Sequence, residues 1–153
     1  MEIKSDTVEV HIFKVINGEL KFLILKRANN VVFPGLWQMV TGKIEGDEKA
    51  YETALRELKE ETGLIPKNLW VAPNVNSFYS HENNSIIFLP VFVVEVEIDA
   101  EVIIGEEHTE YKWAAPEEAQ KLFAWAGQRK SVEIITQYFL KEKNFLELVK
   151  INH

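Results

Sequence analysis

The sequence contains no cysteine, and that absence excludes a disulfide framework, a zinc-cysteine site, an iron-sulfur cluster and thiol catalysis. No apolar run approaches the roughly 18 residues of a membrane span, and Met1 to Ser5 lack the apolar stretch of a secretory signal. A soluble, cytoplasmic protein with no membrane contact is therefore expected. Positive charge is scarce: 17 Lys and Arg stand against 24 Asp and Glu, a formal net charge of -7. Clustered Lys and Arg neutralise nucleic-acid phosphates, so nucleic acid is not an expected partner. An acidic protein that handles phosphates needs metal cations instead. Linkers rich in Gly, Ser or Pro, low-complexity tracts and internal repeats are also missing, which makes residues 1–153 one expected domain. At 46% hydrophobic residues it can bury a core without covalent or metal staples.

The elements that are present read as mixed α/β. Thr7 to Ile16 alternates roughly, Asn17-Gly18 is a two-residue hairpin turn, and Leu20 to Leu25 is the return strand. Asn29-Asn30 and Pro34-Gly35 mark a loop before a short strand around Trp37 to Val40, which stops at Gly42. Asp47 is a candidate helix cap, Glu48 to Thr62 keeps a helical rhythm, and Gly63 sits where a left-handed residue ends a helix. Leu69 to Tyr79 and Ile86 to Ile98 read as long strands, with Pro90 marking an edge or a bulge. His108 to Trp113 is a further strand, and Pro116 opens a helix over Glu117 to Ala124. Ser131 to Lys141 is amphipathic.

The chemistry concentrates between Gly42 and Leu64. On a helix, Glu57, Glu60 and Glu61 stand three and four residues apart and share one side. Like charges at that spacing cost a few tenths of a kcal/mol per pair, and a divalent cation would offset them. Hard oxygen ligands favour Mg²⁺ or Mn²⁺. Glu52, Arg56 and Glu60 also follow i, i+4 spacing, so a solvated face laced with ion pairs is the better account of the carboxylates alone. The full pattern is more specific: Gly42, five residues, Glu48, seven residues, then Arg56-Glu57-Leu58-Lys59-Glu60-Glu61-Thr62-Gly63-Leu64. A chance match is on the order of 10⁻⁷.

This segment resembles the Nudix box at every fixed position. The resemblance implies a Nudix-type α/β/α sandwich with a mixed sheet and a loop-helix-loop catalytic motif. It also implies hydrolysis of a nucleoside diphosphate linked to another moiety, with Mg²⁺ or Mn²⁺ as cofactor. Carried over, Glu57, Glu60 and Glu61 match the metal-binding glutamates and Arg56 the arginine that orients them. Glu48 matches the box's first glutamate, which supports the metal, and Thr41 would offer a backbone carbonyl to the metal or its hydroxyl or amide to phosphate. Outside the box, Trp37 to Gly42 and Glu107 to Trp113 are similar to the dihydroneopterin triphosphate pyrophosphohydrolase branch, whose members also cleave dATP. There a glutamate matching Glu107 completes the metal site, and Arg27 matches a substrate-contacting arginine.

The reaction expected is hydrolysis of an α-β phosphoanhydride of a nucleoside or dihydroneopterin triphosphate, giving monophosphate and pyrophosphate. Glu57 and Glu107 are candidate bases, with His108 a third. Trp37, Phe78 and Tyr79 are candidates to stack on a flat ring, with Trp37 preferred, whereas Trp113 and Trp125 read as packing and His81 is assigned no role. Trp37, Thr41, Gly42 and Arg27 make up the expected substrate contacts. The partner expected is a small-molecule triphosphate, and a homodimer is left open. Two rival readings fit the same residues: a Nudix hydrolase of dinucleoside polyphosphates or nucleotide sugars, and a non-catalytic nucleotide-sensing domain.

Overall fold

The computed structural model describes residues 1–153. Its elements run β1 (Glu2–Lys4), β2 (Thr7–Ile16), β3 (Glu19–Arg27), β4 (Trp37–Gln38), β5 (Val40–Lys43), α1 (Ala50–Thr62), β6 (Asn68–Ser80), β7 (Ser85–Glu95), β8 (His108–Ala114), α2 (Pro116–Leu122), α3 (Ala126–Lys141) and α4 (Lys143–Glu147). Asn17 (φ 52) and Gly18 (φ 78) both take the left-handed conformation that a tight hairpin turn demands, and they close β2 on β3 at the Ile16–Glu19 pair.

The eight strands form one mixed sheet in which β7 runs parallel to β1 and β2. Strand β2 changes partner along its length. Its first half, Thr7 to Val10, pairs with β5, and its second half, Phe13 to Ile16, pairs with β3. The sheet forks between them, and the chain from β4 to β5 crosses the fork. Alternation on β2 then sorts its side chains to opposite layers. Val8, Val10 and Ile12 pack with Ala54 and Leu58 of α1, while Phe13 packs with Val132 and Ile135 of α3. The result is the expected α/β/α sandwich.

Several boundaries differ from the sequence reading. Trp37 to Lys43 is two short strands broken at Met39, because β4 pairs with β3 and β5 with β2. Pro90 is not at an edge: it faces Val75 where β6 slips by two residues between Val71 and Val75, which makes it a bulge. Helix α3 starts five residues before Ser131, and α4 has no counterpart in the reading.

His11 lies fully buried between the rings of Phe22 and Phe123, at centroid distances of 6.5 and 6.0 Å, and its Nε2 has no partner. Burial pushes the imidazole down to about 3. The unfolded chain takes up a proton below about pH 6.5 that folded His11 refuses, so stability falls by up to ~1.4 kcal/mol for each further unit of acidification. His11→Leu is expected to flatten the acid limb of a Tm-against-pH curve between about pH 6.5 and 4, as thermal denaturation will show.

Candidate active site

Helix α1 carries the carboxylates, and both of its ends are held. Its N-cap is Lys49, whose N–H donates to Glu52 Oε1 at 2.9 Å, so Asp47 is not the cap. Asp47 belongs instead to the Glu45–Glu48 turn, where the Glu48 N–H donates to the Glu45 carbonyl at 3.0 Å. At the other end Gly63 (φ 70) donates its N–H to the Lys59 carbonyl at 2.9 Å. The Ile103 N–H then donates to the Thr62 carbonyl at 2.9 Å, and the Ala28 N–H to the Glu107 carbonyl at 2.8 Å. A loop remote in sequence is thereby laid across the last turn of α1, with Glu107 beside it.

Arg56 is the hub of the cluster. Its Nε and Nη2 donate to Glu48 at 2.8 and 3.0 Å, and its Nη1 reaches Glu57 at 2.8 Å and Glu60 at 3.3 Å. Nη2 also donates to the Lys43 carbonyl at 2.9 Å, which ties α1 to the end of β5. Glu48 accepts further from the Glu45 N–H and the Thr53 hydroxyl. These donors, the Arg56 bonds first, hold the Glu48 carboxyl down at about 2. Glu48 therefore anchors the loop through Arg56, with three donors on Oε1 and one on Oε2.

Glu61 is the unsatisfied member. It is 6% exposed, and neither carboxylate oxygen has a hydrogen-bond partner. Burial, then the neighbouring carboxylates of Glu57, Glu107 and Glu60, push its carboxyl far above the usual range. Gly42 permits this crowding, since a Cβ there would stand 2.2 Å from Glu57 Cγ. No three ligating side chains are gathered around a single point. Mg²⁺ typically requires only one or two carboxylates, keeping waters and completing its shell with substrate phosphates. A buried carboxylate without donors, flanked by others, is the chemistry such a cation satisfies, so the residues present fit it.

Behind Glu61 stands a short relay. Arg27 Nε donates to the Val32 carbonyl and Nη1 to Gln38 Oε1 at 3.0 Å. That orients the Gln38 amide so that its Nε2 donates to His108 Nε2 at 3.0 Å, which leaves the imidazole proton on Nδ1. Burial first, and the Arg27 charge second, lower the His108 imidazole to about 4. It is neutral, 3.9 Å from Glu61, and occupied by Gln38. His108 is therefore a buried, neutral neighbour of Glu61 and not an exposed base. Arg27 keeps Nη2 and the second hydrogen of Nη1 for a substrate. Thr41 pairs with Glu9 across β5 and β2, at the fork and next to Gly42.

A model of the NUDIX domain matches residues 6–133. The chain belongs to the Nudix family. It is 31% identical over 137 residues to an octanoyltransferase of Myxococcus xanthus, covering 85% of this chain and 36% of that protein's length. It is also 30% identical over 114 residues to the asymmetrical bis(5'-nucleosyl)-tetraphosphatase of Rattus norvegicus, 71% of this chain and 74% of that one. Among solved structures, the E. coli dihydroneopterin triphosphate pyrophosphohydrolase superposes with a TM-score of 0.70 at 23% identity, over 85% of this chain and 93% of the other. That likeness speaks for the fold.

The Nudix fold also places the aromatic residues. Trp37 is half-buried against the core with the Lys112 ammonium 5.1 Å from its ring centre, so little of the ring is free. Trp113 packs, as read, with Lys14 above it at 4.2 Å. Trp125 does not: it is half exposed and meets Phe33 edge-on at 5.5 Å. Phe33 itself sits at φ 53, a costly conformation for an aromatic residue, on the loop that Arg27 holds. Gln38, Phe33 and Trp125 are the candidate site residues that the sequence reading missed. The only sequence signal was the loop punctuation around Pro34-Gly35.

Because Glu61 keeps its proton when folded and loses it when unfolded, the metal-free protein should lose stability as pH rises above about 5. Glu61→Gln is expected to flatten that decline, leaving the share of buried Glu9, and to abolish the Tm gain that Mg²⁺ gives the wild type near pH 8. Gly42→Ala should keep the circular-dichroism spectrum while displacing Glu57, which calorimetric Mg²⁺ titration will register as weaker binding.

Proposed function

We propose that residues 1–153 form one cytoplasmic catalytic domain that hydrolyses an α-β phosphoanhydride of a nucleoside or dihydroneopterin triphosphate, releasing monophosphate and pyrophosphate. The observation that carries this reading is Glu61, buried without a donor among Glu57, Glu60 and Glu107 beside a single guanidinium. Nudix hydrolases use divalent metal ions, and Mg²⁺ is the ion proposed. Glu57, Glu60 and Glu61, with Glu107 and the Thr41 carbonyl, would hold it. Bound there, the cation supplies neutralisation of phosphate oxygens and an acidified water. The chain's own residues do the rest. Arg56 keeps Glu57 and Glu60 aimed, neutral His108 adjoins Glu61 without bonding to it, and the free Nη2 of Arg27 meets a phosphate oxygen. Glu107 is exposed and in no ion pair, which suits it to accept the proton of the attacking water. Phe33 and Trp125 flank the flat ring.

Anion-exchange analysis of dihydroneopterin triphosphate, dATP and GTP digests should show monophosphate with pyrophosphate. Glu60→Gln and Glu107→Gln should lower kcat by about 10² or more, and Arg56→Lys, which keeps charge but loses the fork, by about 10- to 100-fold. Wild-type protein that releases no product from any of them overturns the reading. A second reading, action on dinucleoside polyphosphates, is favoured by the 30% identity over 114 residues to the asymmetrical bis(5'-nucleosyl)-tetraphosphatase of Rattus norvegicus.

A further inference from the structure

Strand β6 stands at one edge of the sheet: β7 pairs with it on one side, and no strand pairs with it on the other. The start of that edge is covered. The Val71 N–H donates to the Val149 carbonyl at 3.0 Å and the Ile151 N–H to the Leu69 carbonyl at 2.8 Å, so residues 149–151 run along it. Past Pro73 and the slip between Val71 and Val75, no strand covers Val75 to Ser80. Which backbone groups point outward follows from the far side of β7. The Ser5 hydroxyl donates to the Phe88 carbonyl at 3.0 Å, which turns the Phe88 backbone toward β1 and away from β6. Ser77, opposite Phe88, is therefore in a widely spaced pair and presents its own N–H and C=O outward. Every second residue repeats this, so Val75 and Tyr79 do the same, and Val75 stands opposite Pro90, which has no N–H to give. The Ser77 N–H finds only the adjacent Asn76 Oδ1, at 2.9 Å.

The edge also lacks what keeps edges apart. Exposed edge strands usually carry charge, above all Lys, which blocks pairing with a second chain. The opposite edge, β8, carries Glu110 and Lys112. Strand β6 has no charged residue among its 13, and no other strand longer than two residues lacks one. In place of charge stand Val75, 60% exposed, Phe78, 53%, and Tyr79, 56%. Alternation sends Val75 and Tyr79 to one face and Phe78 to the other, where Asn76 Nδ2 donates to Glu9 Oε1. With Ser77 and the edge backbone these side chains offer roughly 500 Å² per copy, about 1,000 Å² across a pair, the size at which a specific interface begins.

We propose that this edge pairs with the same edge of a second copy of the chain, β6 antiparallel to β6 about a two-fold axis at Ser77. A two-fold interface uses one patch twice, so the patch must complement itself. This one does. With Ser77 opposite its counterpart, Val75 of each copy faces Tyr79 of the other, and the three outward residues exchange about six backbone hydrogen bonds. A β-branched residue across from an aromatic one is a favourable cross-strand pair. On the other face Phe78 of each copy lies across from Asn76 of the other. The sheet becomes continuous through both copies. Gly42 of β5, which crowds Glu57, lies beyond β7 and β2 from this edge, so the carboxylate cluster stays outside the contact and the pairing is independent of the hydrolytic reading.

Sedimentation equilibrium of the full chain, up to about 200 μM, is expected to show monomer and dimer with a Kd of roughly 1–100 μM. Val75→Lys sets an ammonium opposite Tyr79 and is expected to raise that Kd about tenfold or more. The double variant Val75→Lys, Tyr79→Glu is expected to return it to about the wild-type value. Its new charges meet only across the two-fold, because within one copy the two positions stand about 13 Å apart along the strand. Ile65→Lys, likewise exposed but away from the edge, should leave Kd unchanged. In the wild type, amide exchange at Val75 and Tyr79 should slow as concentration rises, a readout that needs no variant. A wild type that stays monomeric at about 200 μM overturns the proposal and leaves the edge to a chain of another kind. Dimers that Val75→Lys does not weaken place the contact elsewhere and overturn it as well. A double variant as dissociated as Val75→Lys alone overturns the Ser77 register.

Discussion

One guanidinium faces six carboxylates, and the site depends on that imbalance. Arg56 contacts Glu45, Glu48, Glu57 and Glu60, while Glu61 and Glu107 stand within the same cluster. Two unit charges 4 Å apart repel by about 1 kcal/mol in water and about 4 at an effective dielectric of 20. A fold that holds such a group together must supply the geometry from elsewhere. Here it comes from the α1 caps, the Lys43 carbonyl on Arg56, and the loop pinned at Thr62 and Ala28. Arg56 also divides the carboxylates by role. Those it satisfies, Glu48 above all, hold the backbone, and the one it cannot reach, Glu61, keeps an unmet need for positive charge.

Local signals were legible in the sequence because they need no partner. Asn17-Gly18 encodes its turn in two residues, Gly63 ends its helix through its own backbone freedom, and Pro116 takes the first helical position. The box was legible for a different reason: its spacing places Arg56, Glu57, Glu60 and Glu61 on one helix, whose repeat is known in advance. Glu107 was reached through a resemblance alone. Nothing local says that its loop crosses α1, since that follows from the bond between Ile103 and Thr62.

What stayed hidden depends on pairing between distant strands. The fork in β2 cannot be read from Trp37 to Lys43, because it arises where β3 and β5 compete for the same strand. Pro90 read as an edge or a bulge, and only the slip in β6 selects the bulge. Trp125 read as core because large aromatics usually are core, yet it caps α3 at the surface and is met there by Phe33. Gln38 gave no signal, since its place between Arg27 and His108 exists only after β3, β4 and β8 align.

The two faces of the sheet carry different duties, and Thr41 joins them. Toward α1 lie the carboxylates and the neutral His108 that backs them. Toward α3 lies buried Glu9, paired with Thr41 and accepting from Asn76 and Gln128 at 3.0 Å each. Burial raises the Glu9 carboxyl while those two bonds lower it, with burial the larger effect. The contact is close enough that a Cβ at Gly127 would lie 1.8 Å from Asn76 Oδ1. A polar group with partners on a strand and a helix locks both to β2 more specifically than apolar packing does, because an unmade bond there costs about 1–3 kcal/mol. β5 pairs with the same stretch of β2, Thr41 opposite Glu9 and Gly42 opposite Val8. The carbonyl of Thr41 and the close approach of Gly42 to Glu57 both depend on that register, so the α1 face and the α3 face are built on one strand.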